Sequence, residues 1–418
     1  MADTYILGAG ASFSYDESPT GVRPPLANGF FGAYCSLDIS GDIEVRVGDI
    51  VNYVRDEYGL QPDKFCEFKE NVEPFMTQLD EYVREQIRIV KDKEVEAEEF
   101  GVLVNRVRAH DQMIFLFAHV LNEIQSGPLS SDYLKLVGNI SNTDTIVTFN
   151  WDTLLDRVLH ECTEWSPDNG YSVIFRNVLD GKWRKQHSQG LDGSIKYFKL
   201  HGSTNWLVNY MTWHISSGNR IMVTLQKSNK EFKRISADPK FLESIVVSKY
   251  IAPRIEEVDW GDTSPPGPND PEGYPNLFID GSEGYISYKD RFRAGYEAYS
   301  YFFPPNDPET QIPLMPLMVP PTQYKLYEEF AHIIDPLWNY ALEELSNSNN
   351  VFVIGYSLPK TDTRSLEMFR KADIACRPEW FIVNPYPDPI VERLVKEVGI
   401  DQDRIHVEAA TLRMFLGN

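Results

Sequence analysis

Cysteine is scarce in this chain, with 4 in 418 residues. Cys35, Cys66, Cys162 and Cys376 stand far apart and form no C-x-x-C pair. That spacing excludes a zinc site built on cysteine knuckles and gives no sign of a disulfide framework, so free thiols are expected. Also missing is any apolar run near the roughly 18 residues that a membrane span requires, and any basic leader ahead of an apolar stretch. A cytoplasmic protein without membrane association is expected. Positive charge is short as well: 40 Lys and Arg against 62 Asp and Glu leave a formal charge of −22. Such a field repels nucleic-acid phosphates, so direct nucleic-acid binding is not expected and any link would run through a partner.

What is present reads as an ordinary globular chain, with 42% hydrophobic and 24% charged residues, long enough for two or three domains. Short apolar or β-branched runs recur without clean alternation: "YIL" before Gly8, "DTIVTF" before Asn150, "IKYFKL" before His201, "NVFVI" before Gly355 and "WFIV" before Asn384. Runs of this kind suit parallel strands covered on both faces. The fold class is therefore α/β: a Rossmann-like parallel sheet with helices on both faces. Residues 42–140 read as a helical insertion. In "EYVREQIRIV", Val83, Ile87 and Val90 share one helical face, while "QMIFLFAHVL" is apolar nearly all round and predicts a buried helix. The sheet domain then comprises 1–41 and 141–418. A helix over "YKLYEEFAHIIDPLWNYALEEL" should kink at Pro336. Between Trp260 and Thr322 lie 12 of the 27 prolines, which predicts a long irregular segment, either a lid or assembly surface or a plain surface loop.

The five strand candidates all end in small or polar residues. "YILGAGASFSY" supplies Gly8, Ala9, Gly10 and Ser12. A strand ending in Gly-x-Gly lets the backbone come close to an anionic group, and a helix starting near Ser12 would aim its N–H groups at the same spot. The third glycine of the dinucleotide fingerprint is replaced by Phe13. The other endings are Asn150-Trp151-Asp152, His201-Gly202-Ser203, Gly355-Tyr356-Ser357 and Asn384-Pro385. Each has a structural alternative: Asn150 and Asp152 could cap the helix over "TLLDRVLHE", His201 could be a satisfied core histidine, and Ser357 and Asn384 could open turns before prolines. Because ligands of open parallel sheets bind at the carboxyl ends of the strands, all five endings converge on one crevice.

Taken together and in this order, "GAGAS", "TFNWD", "KLHG", "GYSL" and "IVN" resemble the motifs of sirtuins, NAD-dependent enzymes. The resemblance is strongest to the divergent sirtuin-like domains of bacterial anti-phage defence proteins, which share "GYSLP" plus an acidic residue, here Gly355 to Pro359 and Asp362. It rests on about 25 residues and leaves 42–140 and 210–320 uncovered. By the resemblance, Gly8, Ala9, Gly10 and Ser12 would hold the NAD+ phosphates, and Gly355, Ser357 and Asn384 the adenosine half. Asn150 would lie by the nicotinamide ribose and Asp152 near the carboxamide, while His201 would be the catalytic base. Nicotinamide leaves as a neutral molecule and oxocarbenium character develops on the ribose, so a neutral imidazole could take the proton of an attacking hydroxyl or water.

The chain departs from protein-deacylating sirtuins in three ways. No zinc-binding cysteine pairs follow the His-Gly, Asn150 and His201 stand 51 positions apart, a longer spacing than in those enzymes, and no Phe-Arg is evident in "GVRPPLANGFF". With no acyl-lysine substrate favoured, water is the remaining nucleophile. The expected activity is NAD+ hydrolysis to ADP-ribose and nicotinamide, with no metal in the site and no zinc. The alternatives are a protein deacylase or ADP-ribosyl transferase, or a sensor that binds NAD+ or an ADP-ribose-type ligand without turnover. By the same resemblance, the chain would act in antiviral defence by depleting NAD+, as a homo-oligomer paired with a HerA-class hexameric ATPase.

Overall fold

The computed structural model describes residues 2–37, 43–92, 97–168, 170–175, 177–179, 183–186, 195–209, 222–224, 314–325, 327 and 331–417. In chain order, β1 (Ala2–Leu7) meets a single helical turn, α1 (Ala9–Ser12). Then come α2 (Phe30–Ser36), α3 (Ile43–Tyr58), α4 (Val72–Asp92), α5 (Ala97–Gln125) and α6 (Ser131–Asn139). After β2 (Thr145–Thr148) and α7 (Leu154–Cys162), the short strands β3 (Asn177–Leu179), β4 (Trp183–Lys185), β5 (Lys196–Lys199), β6 (Gly202–Asn209), β7 (Met222–Thr224) and β8 (Leu314–Met318) follow. The remaining elements alternate: α8 (Ala331–Leu345), β9 (Ser348–Ile354), α9 (Thr363–Cys376), β10 (Glu379–Val383), α10 (Asp388–Arg393), β11 (Ile405–Ala409) and α11 (Leu412–Phe415).

Six strands form one parallel sheet in the spatial order β11-β10-β9-β1-β2-β5. Counted by appearance in the chain, that is the doubly wound Rossmann-like order, with its reversal between β1 and β9. All four residues of β2 are buried, and since successive side chains point to opposite faces, both faces are covered. The five expected strands are all present. β11 is a sixth, and its side chains are half-buried or exposed at the sheet edge, which is why no apolar run marks it in the sequence.

Residues 42–140, expected to be helical, hold the run α3 to α6. Met113 to Ala118 of α5 are buried, as the all-round apolar pattern requires, and they share one core with Ile6 of β1 and Ile146 of β2. Helix α8 continues on both sides of Pro336. No helix among the described residues is long and apolar enough to cross a membrane.

Two sequence expectations are corrected. Cys35 on α2 and Cys66 in the 3-10 turn Pro62–Glu67 form a disulfide with Cα atoms 5.6 Å apart, not free thiols. An aromatic cluster brings them together, since Phe65 packs edge-on against Phe31 and Tyr34. Cys162 and Cys376 remain free. Of the Pro-rich stretch, 260–313 lie outside the described residues, but Leu314–Met318 is strand β8 rather than loop. It is the edge of a second sheet ordered β4-β3-β7-β6-β8. An edge strand tolerates Pro316 because one row of its N–H groups has no ladder partner to lose.

That second sheet is mounted directly over the carboxyl edge of the first. β6 begins just after β5 ends, and Gly202, at φ +76°, makes the turn between them. A Cβ at Gly202 would lie 2.1 Å from the Leu317 carbonyl oxygen, so only glycine lets β8 close against this corner. The Val319 N–H donates to the His201 carbonyl at 2.9 Å, which fixes the backbone of His201 from above.

Candidate active site

The ends of β1 and β9 touch through their backbones. Gly8 N–H donates to Ile354 O at 3.0 Å and Gly10 N–H to Gly355 O at 2.9 Å. Side chains have no room there: a Cβ on Gly8 would sit 2.5 Å from Tyr356 Cα, and one on Gly355, at φ +61°, 2.1 Å from Ala11 N. These glycines are therefore required by the strand crossing itself. Ala9 is the exposed residue of the turn, and the helix after it is only one turn long.

Below this crossing, Ser12, Asn150 and Asp152 meet in one hydrogen-bond network. Asn150 Nδ2 donates to Gly8 O at 2.9 Å and to Ser12 Oγ at 3.0 Å. Ser12 Oγ donates to Asp152 Oδ2 at 2.7 Å, so its 2.9 Å contact with Tyr133 Oη must be one in which the tyrosine donates. The hydroxyl of Ser12 is thus saturated and buried. Asp152 is also committed: its Oδ1 accepts from the Leu154 N–H at 3.1 Å, a local contact one residue ahead of Thr153, the N-cap of α7. Burial raises its pKa, against the opposing pull of Lys199 and Ser12. Asn150 is the half-buried member through which this network reaches the surface.

His201 sits one strand further along, at the end of β5, in a second cluster. Its Nε2 is 3.1 Å from Tyr327 Oη, and its ring lies 5.0 Å from that of Phe149, which in turn stacks on Tyr356 at 4.2 Å. Burial, followed by the positive charge of Lys325, pushes the His201 pKa down to about 3, although Asp362 and a hydrogen bond with the Phe149 backbone oppose this. A neutral imidazole carries one proton, and with that proton on Nδ1 the other nitrogen is free to accept. In that tautomer Nε2 is the acceptor of the 3.1 Å contact and Tyr327 the donor. The 3.7 Å approach of His201 Nε2 to Asp362 Oδ2 is accordingly not an ion pair. Burial would raise the Asp362 pKa, but Lys325 at 3.8 Å and the Tyr356 hydroxyl at 2.5 Å reverse this and hold it low.

The remaining predicted residues lie along the same edge. Ser357 is exposed at the rim, and Leu358 after it takes φ +50°. Asn384 is nearly buried; its Oδ1 accepts from Tyr386 N–H at 2.9 Å and its N–H donates to Ala409 O at 2.9 Å, the turn geometry that the following proline allows. Tyr133, Lys325, Tyr327 and Arg364 were not singled out in the sequence. The signals for Lys325, Tyr327 and Arg364 are the short polar clusters "QYKLY" and "PKTDTR" on either side of α8 and β9, and nothing in "SDYLKL" marks Tyr133. Among the described residues no group of three or more His, Cys, Asp or Glu side chains could hold a metal ion.

The fold is that of an α/β protein with a doubly wound parallel sheet, and the glycine turns lie at its switch point. No known family model matches the chain, and no curated protein matches it as a relative.

Proposed function

We propose that the protein is an NAD+ hydrolase. The observation that carries this reading is the coincidence of the switch point between β1 and β9 with the Gly8–Gly10 and Gly355 turns, with Asn150 and His201 at the next two strand ends. An open parallel sheet binds its ligand at that place. The order of these motifs and their resemblance to sirtuins support NAD+ as the ligand.

In the reaction, the bond between the nicotinamide nitrogen and ribose C1′ breaks with its electron pair going to nicotinamide. Water supplies the new oxygen on C1′ and releases one proton. The exposed turn at Ala9 would face the pyrophosphate, Ser357 and Asn384 the adenosine side, and Asn150 the ribose. His201 would receive the water proton at Nε2. In the tautomer with the proton on Nδ1 that lone pair accepts from Tyr327, and the hydroxyl has to leave before the water proton can transfer. The contact supports an enzyme held off at rest, as an NAD+-depleting effector with an ATPase partner needs to be.

The test is to incubate the purified chain with NAD+, alone and with a hexameric HerA-class ATPase, and to identify products by chromatography. Nicotinamide and ADP-ribose in equal amounts are expected. Persistent NAD+ with both proteins present refutes the reading, and bound but uncleaved NAD+ favours the sensor.

A further inference from the structure

A pocket of about 380 Å³ opens beside Asp362, and none of the glycine turns' residues lines it. Its wall is formed by the segment before α8 and the loop that enters α9, and it carries Lys325, Lys360 and Arg364. In a chain with a formal charge of −22, three cations on one cavity wall run against the background. Arg364 is held in place by Asp335 at 2.8 Å and by stacking over the Tyr327 and Trp338 rings at 4.9 and 4.6 Å. Lys325 reaches Asp362 only at 3.8 Å, a loose pairing.

Asp362 also lines this pocket, and it makes no side-chain cap for α9 although it stands at the N-cap. Its side chain is fully buried. Oδ2 takes the Tyr356 hydroxyl, whereas Oδ1 has no hydrogen-bond partner among the described residues. Leaving a buried carboxylate oxygen without a donor is unfavourable, so the site is built for a donor that arrives from outside. A bare anion would not serve, because it would face the carboxylate. The volume is also in the range of small-molecule sites rather than of a single ion.

We infer that this pocket is a binding site for a small phosphorylated sugar, whose phosphate lies among Lys325, Lys360 and Arg364 and whose hydroxyl donates to Asp362 Oδ1. The pocket adjoins the His201 cluster through Tyr327 and Asp362, and none of the glycine turns' residues lines it; its occupancy is read by binding and does not depend on NAD+ cleavage.

The test is calorimetric titration of the full chain with ribose 5-phosphate, ribose and inorganic phosphate. Saturable binding of ribose 5-phosphate is expected, at least about 10-fold tighter than inorganic phosphate, the lower end for a hydrogen bond to a charged group. Lys360→Glu reverses an exposed charge and should weaken ribose 5-phosphate binding at least about 10-fold with an unchanged thermal midpoint. Lys325→Ala should weaken it similarly. No saturable binding, equal affinity for inorganic phosphate, or full affinity in a folded Lys360→Glu protein overturns the inference.

Discussion

Lowering the pH from 7.5 to 5.0 should destabilise the native protein through His201 in a way that a single substitution removes. The ring is buried, and its pKa falls from an ordinary 6.5 to about 3. Above pH 6.5 the ring is neutral folded and unfolded, so it adds no pH dependence. Below 6.5 the unfolded chain binds a proton that the folded one refuses, and stability drops by about 1.4 kcal/mol per pH unit until the folded pKa is reached. At pH 5.0 the loss comes to about 2 kcal/mol. Other groups titrate in the same range, Asp152 with raised pKa and opposite sign among them, so the quantity to read is a difference. Asp362 has its pKa held below 3.8 and stays ionised throughout this window. The assay is urea unfolding of the native protein and of His201→Gln at both pH values. The native protein should lose about 2 kcal/mol more than the variant. Equal losses would show that the folded ring takes up its proton as a solvated one does, and the neutral-imidazole assignment would fail.

Three further outcomes are expected. His201→Ala and Asn150→Ala should each lower NAD+ cleavage at least about 100-fold, the low end for lost acid–base help, whereas His160→Ala on α7 should cleave normally; full turnover by a folded His201→Ala protein removes the base assignment. Gly355→Ala should cost several times more stability than Gly59→Ala. Both glycines have positive φ, at +61° and +70°, which alone costs about 1 to 2 kcal/mol, but a Cβ at Gly59 meets nothing within 4 Å, so matching urea midpoints would show that the strand crossing is not close. Chelators should leave NAD+ cleavage intact and elemental analysis should find no stoichiometric zinc; one zinc per chain would contradict this.

The parts of the fold legible in the sequence were those written in contiguous residues. Five strands of the large sheet and the buried middle of α5 show as short apolar or β-branched runs, and Gly8 to Gly10 mark where the first strand stops. The sequence could not separate a glycine needed for ligand approach from one needed for backbone contact, and Gly8, Gly10 and Gly355 are explained by contact alone. It also placed Ser12, Asn150, Asp152 and His201 at one edge without dividing them. The structure puts the first three in one network and His201 in another, with Tyr327 and Asp362. Those partners lie more than 120 positions from His201, and nothing local reports such a pairing. The Cys35–Cys66 bridge escaped notice for a similar reason, because it depends on aromatic packing between α2 and a 3-10 turn.

The placement of β1 sets the order in which the chain can be built. Tyr5 pairs with Ile146 on one side and with Phe352 on the other, so the middle of the sheet closes only after β9 has been synthesised. At roughly 5 to 20 residues per second that takes roughly 20 to 70 s, during which one edge of β1 has no partner strand. The loop entropy of such distant pairing grows slowly with length, so the native state loses little stability by it. The burden is kinetic: an apolar strand with an open edge can recruit other chains while it waits. Expression at reduced temperature or alongside chaperones should raise the soluble yield for this reason, through the interval before β9 docks rather than through any gain in native stability.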